Sequence, residues 1–424
     1  MDSMNISVIG TGYVGAVTGT CLAELGNRII FIGRNKEKLS LIDHGKTPIY
    51  EPGLEELLRA NKERISTTTD LSNAISNTDI TIICVGTPSQ EDGSIDLQQI
   101  NDVSVTIGKS LGTIEKHHTI IVKSTVLPGT IETFIIPILE KKSGKKAYLD
   151  FGIASNPEFL KEGSAVDDFF NTDRVVIGVN DTKTERLLME LYSSLKAPIF
   201  STNIRTSEMI KYTSNAFLAT KISFANEIGN LCKKMSIDSY EVFQGVGMDS
   251  RINPSFFRTG IGFGGSCFPK DVRALIAHAR NLGIKPKVLT AVMETNDDQP
   301  GKMIDLLKRH MDISGKTIGV LGLAFKPNSD DVRESRAIPI IESLRREGAS
   351  VIAYDPVAMG NFSSLFPDIC YARNARDVLD ADAVFIVTEW KEFEDLNYQG
   401  KIVIDGRRIK KAKSGASLYE GVCW

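Results

Sequence analysis

The stretch NISVIGTGYVG, residues 5–15, decides the reading of this chain. A short β-branched run ends at Ile9, and glycines follow at Gly10, Gly12 and Gly15 as helix-forming sequence begins. In such a turn Gly10 makes the tight reversal, Gly12 admits a pyrophosphate to the backbone, and Gly15 lets the helix pack closely. As a bare pattern this is weak. Its context carries it: a strand before, a helix after, and another strand ending at Gly33. A dinucleotide is the expected ligand.

That second strand should end in an acid holding the adenosine ribose hydroxyls, yet it ends Ile32-Gly33-Arg34-Asn35. A small residue followed by arginine suits a 2′-phosphate, because a guanidinium grips phosphate with two hydrogen bonds. NADP therefore fits Arg34. So does NAD, with Arg34 stacked over the adenine.

Outward from this turn, RIIFIG, DITIICVG, HTIIVKST and FGIASNP alternate with amphipathic stretches, each ending at a glycine-rich or polar turn. The alternation predicts α/β architecture with parallel strands and crossover helices, ligands binding beyond the strands' carboxyl ends. From residue 201 a long helical period takes over, with Met209, Ile210, Thr213, Phe217, Ile222, Ala225, Ile228 and Leu231 spaced for one buried stripe. After residue 315 the α/β pattern returns in KTIGVLGLAF, a helix across Ile338 to Arg346, SVIAYDP, ADAVFIVTEW and KIVIDGR. The expected organisation is two doubly wound, Rossmann-like domains joined by a long central helix: a dinucleotide-binding domain over 1–200, a helical domain over 201–310, and a second domain suited to a nucleotide over 311–424.

Composition agrees. A chain of 424 residues, 42% hydrophobic and 24% charged, is globular and too long for one core. Net charge of -3 without a basic block argues against nucleic-acid binding, so any anionic ligand must be met locally. No signal-peptide pattern opens the chain, and no apolar run approaches the ~20 residues that span a bilayer. The six cysteines show no CxxC spacing, so no metal site or disulfide framework is expected, and a reducing cytoplasm is the expected compartment.

Cys267 differs from the other cysteines. It sits in GFGGSCFPKD, where Gly262, Gly264 and Gly265 permit close backbone approach and Lys270 and Asp271 follow. Most cysteines are small buried hydrophobes, but neighbouring positive charge favours a reactive thiolate here. Lys211 and Asn215 share one face of the central helix, where such pairs are usually solvated; in an apolar helix a buried lysine stabilises a developing alkoxide or holds a water. Glu158, in SNPEFLKEG, is presented just beyond a strand, as a general base would be. Lys410, Lys411 and Lys413 read as a solvated face.

With GTGYVG, YEPGLEELL, VGTP, KSTVLPGT, SNPEFLKEG, GFGGSCFPKD and FKPNSDDVRES in this order, the chain resembles the UDP-glucose/GDP-mannose dehydrogenase family over nearly its whole length. The resemblance implies a four-electron oxidation of a sugar's primary alcohol to a carboxylate, with thiohemiacetal and thioester intermediates on Cys267. It implies Lys211 as oxyanion stabiliser, Asn215 and Asp271 positioning lysine and water, and Glu158 and Thr125 as hydrolytic base and water-holding hydroxyl. Cofactor contacts would come from Gly10, Gly12, Tyr13, Val14 and Gly15, Arg34, Thr87, Thr125, Glu162 and Arg333, with NAD the family's cofactor. Substrate contacts would come from Glu158, Phe159, Leu160 and Lys161, Lys211, Asn215, Phe256, Phe257, Gly264, Lys326 and Arg407. Arg251 matches an arginine that reaches a neighbouring subunit's substrate, implying a homodimer or higher oligomer.

The SNPEFLKEGSAVDDF and DRVVIG segments lean to UDP-glucose; GDP-mannose is the near alternative, and GGSCFPKD speaks against UDP-N-acetylhexosamines. A catalytically silent nucleotide-sugar binder is a reading of another class. Such a relative should have lost one of Cys267, Lys211, Asn215, Asp271 or Glu158, and all stand here.

Overall fold

The computed structural model describes residues 3–424. The chain forms two compact units, Met1–Thr213 and Ser214–Trp424.

In the first unit the apolar runs become the strands β1 (Asn5–Ile9), β2 (Arg28–Ile32), β3 (Ile65–Thr68), β4 (Ile80–Ile83), β5 (His118–Val122), β6 (Phe151–Ser155), β7 (Val175–Val179) and β8 (Ile199–Thr202). They lie in the order β3-β2-β1-β4-β5-β6-β7-β8 and pair in parallel except β6 with β7. Strands β4, β5 and β6 are buried at every position, because helices cover both faces. The order reverses between β1 and β4, so the turn after β1 opens at the switch point where such sheets bind ligands.

The second unit carries β9 (Thr317–Leu321), β10 (Ser350–Tyr354), β11 (Cys370–Tyr371), β12 (Ala383–Ile386), β13 (Ile402–Asp405) and β14 (Leu418–Gly421), in the order β11-β10-β9-β12-β13-β14. All five pairings are parallel. Ahead of this sheet, helices at Phe268–Asn281 and Lys287–Asp298 pack Val272, Ile276, Val292 and Met293 around Ala216 and Ala219.

One helix, Ile204–Lys234, runs from the first unit into the second. Its stripe is a correction to the sequence reading. Met209, Phe217 and Leu231 are 42%, 63% and 56% exposed, and Thr213 is exposed too; Ile210, Ile222 and Ile228 are half-buried, and only Ala225 is buried. The buried face carries Lys211, Tyr212, Asn215, Ala216, Ala219, Ser223 and Asn226 instead. Small side chains let neighbouring backbone approach, and Lys211, Asn215 and Ser223 donate to Glu158, Asp271 and the Val292 carbonyl while the Asn226 oxygen accepts from the Gly260 N–H, so the larger apolar side chains face outward. Lys410, Lys411 and Lys413 are exposed. Among the described residues no helix is long and apolar enough to cross a membrane, and no His/Cys/Asp/Glu group could hold a metal ion.

Candidate active site

At the end of β1 the three glycines do different things. Gly10 has φ +106, and a Cβ there would stand 2.6 Å from the Cys84 carbonyl oxygen. A Cβ on Gly15 would collide with the Gly10 carbonyl. Around Gly12 there is nothing within 4 Å of a Cβ position, and the residue caps a helix, Tyr13–Glu24, whose first turn has no acidic side chain. That open backbone at a positive helix end fits a pyrophosphate. Val14, half-buried, continues the turn. Arg34 is exposed beyond β2, and Asn35 caps the next helix by accepting from the Lys38 N–H at 3.0 Å. Thr87 Oγ1 donates to the Thr125 carbonyl at 2.9 Å, tying the turns after β4 and β5 together.

Beyond β6 the chain brings Glu158 to Lys211, 3.0 Å apart, with side chains 6% and 5% exposed. The other Glu158 oxygen accepts from the Leu160 N–H at 2.6 Å. Burial pushes this carboxyl up, but the Lys211 ammonium, the Leu160 N–H and Lys123 outweigh it and hold it below its ordinary value. The Phe159 ring lies 5.4 Å from the Lys211 ammonium and 4.0 Å from the Arg174 guanidinium, so two cations bear on this ring. Lys161 is exposed and pairs with Asp168 at 2.9 Å; Glu162 is half-buried.

The sequence reading missed Lys123. This buried lysine closes β5 and donates to the Asn156 side chain at 2.9 Å; burial brings it down to about 8. It borders a cavity of about 40 Å³ that Glu158, Asn156, Arg174 and Tyr192 also line, room for a water molecule. A lysine directly after the apolar run Ile120–Val122 was the available signal.

In the second unit Cys267 is exposed and is the N-cap residue of Phe268–Asn281, where the helix's positive end stabilises a thiolate. One turn on, Asp271 is 1% exposed; one carboxylate oxygen accepts from Asn215 at 2.6 Å and the other from Lys270 at 2.5 Å. The loop glycines serve the protein itself. A Cβ on Gly264 would collide with the Glu334 carbonyl, one on Gly265 would stand 2.6 Å from the Phe325 ring, and one on Gly262 2.5 Å from Asn296. The Gly265 N–H donates to the Arg333 carbonyl at 3.0 Å, so this loop is seated on the FKPNSDDVRES segment.

The remaining candidates are more dispersed. Arg333 is exposed and grips Asp331 with two hydrogen bonds, as exposed Arg251 grips Asp249. Lys326 lies 5.4 Å over the Phe325 ring. Phe256 has φ 68 and tilts against Phe268, and Phe257 stacks on Phe243 at 4.8 Å. Arg407 donates to the Val387 carbonyl at 2.8 Å and to the Gly262 carbonyl at 3.5 Å, which joins IDGRR to the cysteine loop.

Sequence profiles of the UDP-glucose/GDP-mannose dehydrogenase family match this chain three times: its NAD binding domain at 4–196, its central domain at 205–298 and its UDP binding domain at 319–412. The chain is 44% identical to a UDP-glucose 6-dehydrogenase of Haloferax volcanii, over 99% of this chain and 100% of that one. It is 41% identical to a GDP-mannose 6-dehydrogenase of Pseudomonas putida, with the same coverage. A solved UDP-glucose dehydrogenase structure from Pyrobaculum islandicum superposes with a TM-score of 0.97 at 42% identity, covering 100% of this chain and 98% of that one.

Proposed function

This chain belongs to the UDP-glucose/GDP-mannose dehydrogenase family, whose NAD binding domain it carries, and from that premise we propose that it oxidises UDP-glucose to UDP-glucuronate. The observation that carries the reading is a bonded set in each unit: in the second, Cys267 at a helix N-terminus with Asp271 one turn on and bonded to Asn215; in the first, the buried pair of Lys211 and Glu158.

The Gly10 to Gly15 turn, with Thr87, Thr125, Glu162 and Arg333, would hold NAD, which would accept one hydride in each of two oxidations; the first turns the C6 alcohol into an aldehyde as its hydroxyl proton is lost. Cys267 adds its sulfur to the C6 aldehyde, the carbonyl oxygen becoming the hydroxyl of a thiohemiacetal. Lys211, desolvated, stabilises negative charge on that oxygen. Oxidation of the thiohemiacetal leaves a thioester. Glu158 takes a proton from the attacking water, which Thr125 and Asp271 help to hold; the carbon–sulfur bond breaks, and the thiolate leaves. Asn215 fixes Asp271. Phe159, Leu160, Lys161, Phe256, Phe257, Gly264, Lys326 and Arg407 are assigned to the nucleotide sugar.

A homodimer is part of the proposal. Phe217, Phe224 and Leu231 recur every seven residues on the central helix and are 63%, 52% and 56% exposed, an apolar stripe suited to a second copy, which would bring Arg251 to its partner's substrate. The three domains 1–200, 201–310 and 311–424 then hold cofactor, dimer contact and nucleotide sugar. A reducing, cytoplasmic setting suits a mechanism that needs the Cys267 sulfur as a thiol.

The test is the NADH formed per UDP-glucose consumed, run to completion. Two per sugar with glucuronate as product is the expected result. One per sugar sinks the covalent second oxidation, and none makes GDP-mannose the next substrate to try.

A further inference from the structure

The YEPGLEELL stretch supplies no group to this reaction, yet it holds one of the most heavily hydrogen-bonded carboxylates in the first unit. Glu51 is 5% exposed, just ahead of the helix Leu54–Ala60. One oxygen accepts from the Ala165 N–H at 2.7 Å. The other accepts from the Gly163 N–H at 2.7 Å and from the Tyr13 hydroxyl. The same Gly163 N–H stands 2.8 Å from the Tyr13 oxygen, so phenol, carboxylate and amide form a closed triangle.

The two segments meeting on Glu51 are distant in sequence and share one expected ligand. Tyr13 directly follows Gly12, the open position of the dinucleotide turn. Gly163, at φ +81, and Ala165 directly follow Glu162, at the end of the loop that begins with Glu158. An ionised carboxylate is an acceptor only, and a buried one is tolerated when donors surround it. The Tyr13 hydroxyl comes from the first of those segments, and the Gly163 and Ala165 N–H groups come from the second. Displacing either would strip the carboxylate of a bond it cannot replace with water, so each holds the other in place.

We propose that Glu51 is a positioning residue for the dinucleotide, locking the Gly12–Tyr13 turn to the Glu162–Ala165 loop so that both close on one cofactor. Glu51 acts through Tyr13 and the loop backbone, and the proposal rests on the reading of this turn as the NAD site.

Glu51→Gln keeps the volume but turns one acceptor into an NH₂, which must face either the Ala165 or the Gly163 N–H as donor against donor. Tyr13→Phe removes only the hydroxyl. The experiment measures NADH binding to the full-length protein by fluorescence titration, without turnover, for the parent, each single variant and the double variant, beside KM for NAD, KM for UDP-glucose, kcat and melting temperature. The expected result is NADH binding weakened about tenfold in Glu51→Gln and by about threefold or more in Tyr13→Phe. KM for NAD should rise in parallel, and in Glu51→Gln kcat at saturation and KM for UDP-glucose should stay within about twofold. Because both changes break one triangle, the double variant should be no weaker than Glu51→Gln alone. A loss of melting temperature with NADH binding unchanged shows a mere structural staple and overturns the proposal, as do additive losses. If Glu51→Gln does not fold, Tyr13→Phe decides alone, and binding equal to the parent's overturns it. A parent protein that binds no NADH refutes the cofactor site itself, a separate outcome.

Discussion

Replacing Glu158 by Gln removes the charge from one side of a buried ion pair while keeping its shape, and the structure says what that costs. The pair is 3.0 Å long with both side chains about 5% exposed, so water cannot take the place of the lost partner. Gln has one acceptor oxygen where Glu158 used two, for Lys211 and for the Leu160 N–H, so one donor is left facing an NH₂. Breaking a buried pair from one side costs about 3–5 kcal/mol, because the remaining charge stays uncompensated. For a unit of this size each kcal/mol shifts the melting temperature by about 2–4 °C, which puts the loss at about 6–20 °C. In catalysis the variant loses its base for the last step alone, a slowing of about 10²–10⁴-fold. The assays are a thermal melt and a rapid-mixing experiment with NAD and UDP-glucose. The variant should still release a burst of about two NADH per active site and then stall as the thioester accumulates. A melt within 2 °C of the parent would refute the buried pair, and steady turnover within about threefold would refute Glu158 as the hydrolytic base.

Other outcomes follow from single features. Arg34 stands exposed where an acid would meet the adenosine ribose, so the protein should turn over with NADP as well as NAD; Arg34→Ala should lower kcat/KM for NADP about tenfold and leave NAD within about threefold, whereas an equal fall for both assigns Arg34 to stacking on adenine. Phe217→Asp with Phe224→Asp should reduce the particle seen by light scattering from twice 46.5 kDa to 46.5 kDa; a parent protein already monomeric refutes the dimer stripe. Burial raises Glu208 to about 7 although it accepts from the Gly129 and Ile131 N–H groups. Its folded value lies above the unfolded one, so its contribution is full below about pH 4.5 and is lost as pH rises through about 7. Glu208→Gln should therefore compare better with the parent at pH 8 than at pH 5 in thermal melts, and parallel curves would count against the raised carboxyl.

What the sequence determined by itself is local. NISVIGTGYVG specifies strand, turn and helix because only glycine tolerates φ +106 at Gly10 and only glycine clears the Gly10 carbonyl at position 15. Apolar runs such as ITII and AVFI specify strands buried on both faces, and their alternation with helices specifies parallel sheets. The sequence also puts Cys267 in a glycine-rich loop and Glu158 just beyond a strand, where the fold has them. The tertiary structure decided what those local signals leave open. A stripe at helical spacing states that one face is apolar, not that the chain's own body covers it, so Phe217 and Leu231 read as core and stand exposed. The glycines of GFGGSC read as permitting a close approach, and only the fold shows that the Glu334 carbonyl and the Phe325 ring are what approach. Lys123 and Glu51 went unassigned because a lone lysine or glutamate is ordinarily solvated. Only the fold, by removing water and bringing segments more than a hundred residues apart onto one carboxylate, gives Glu51 its work.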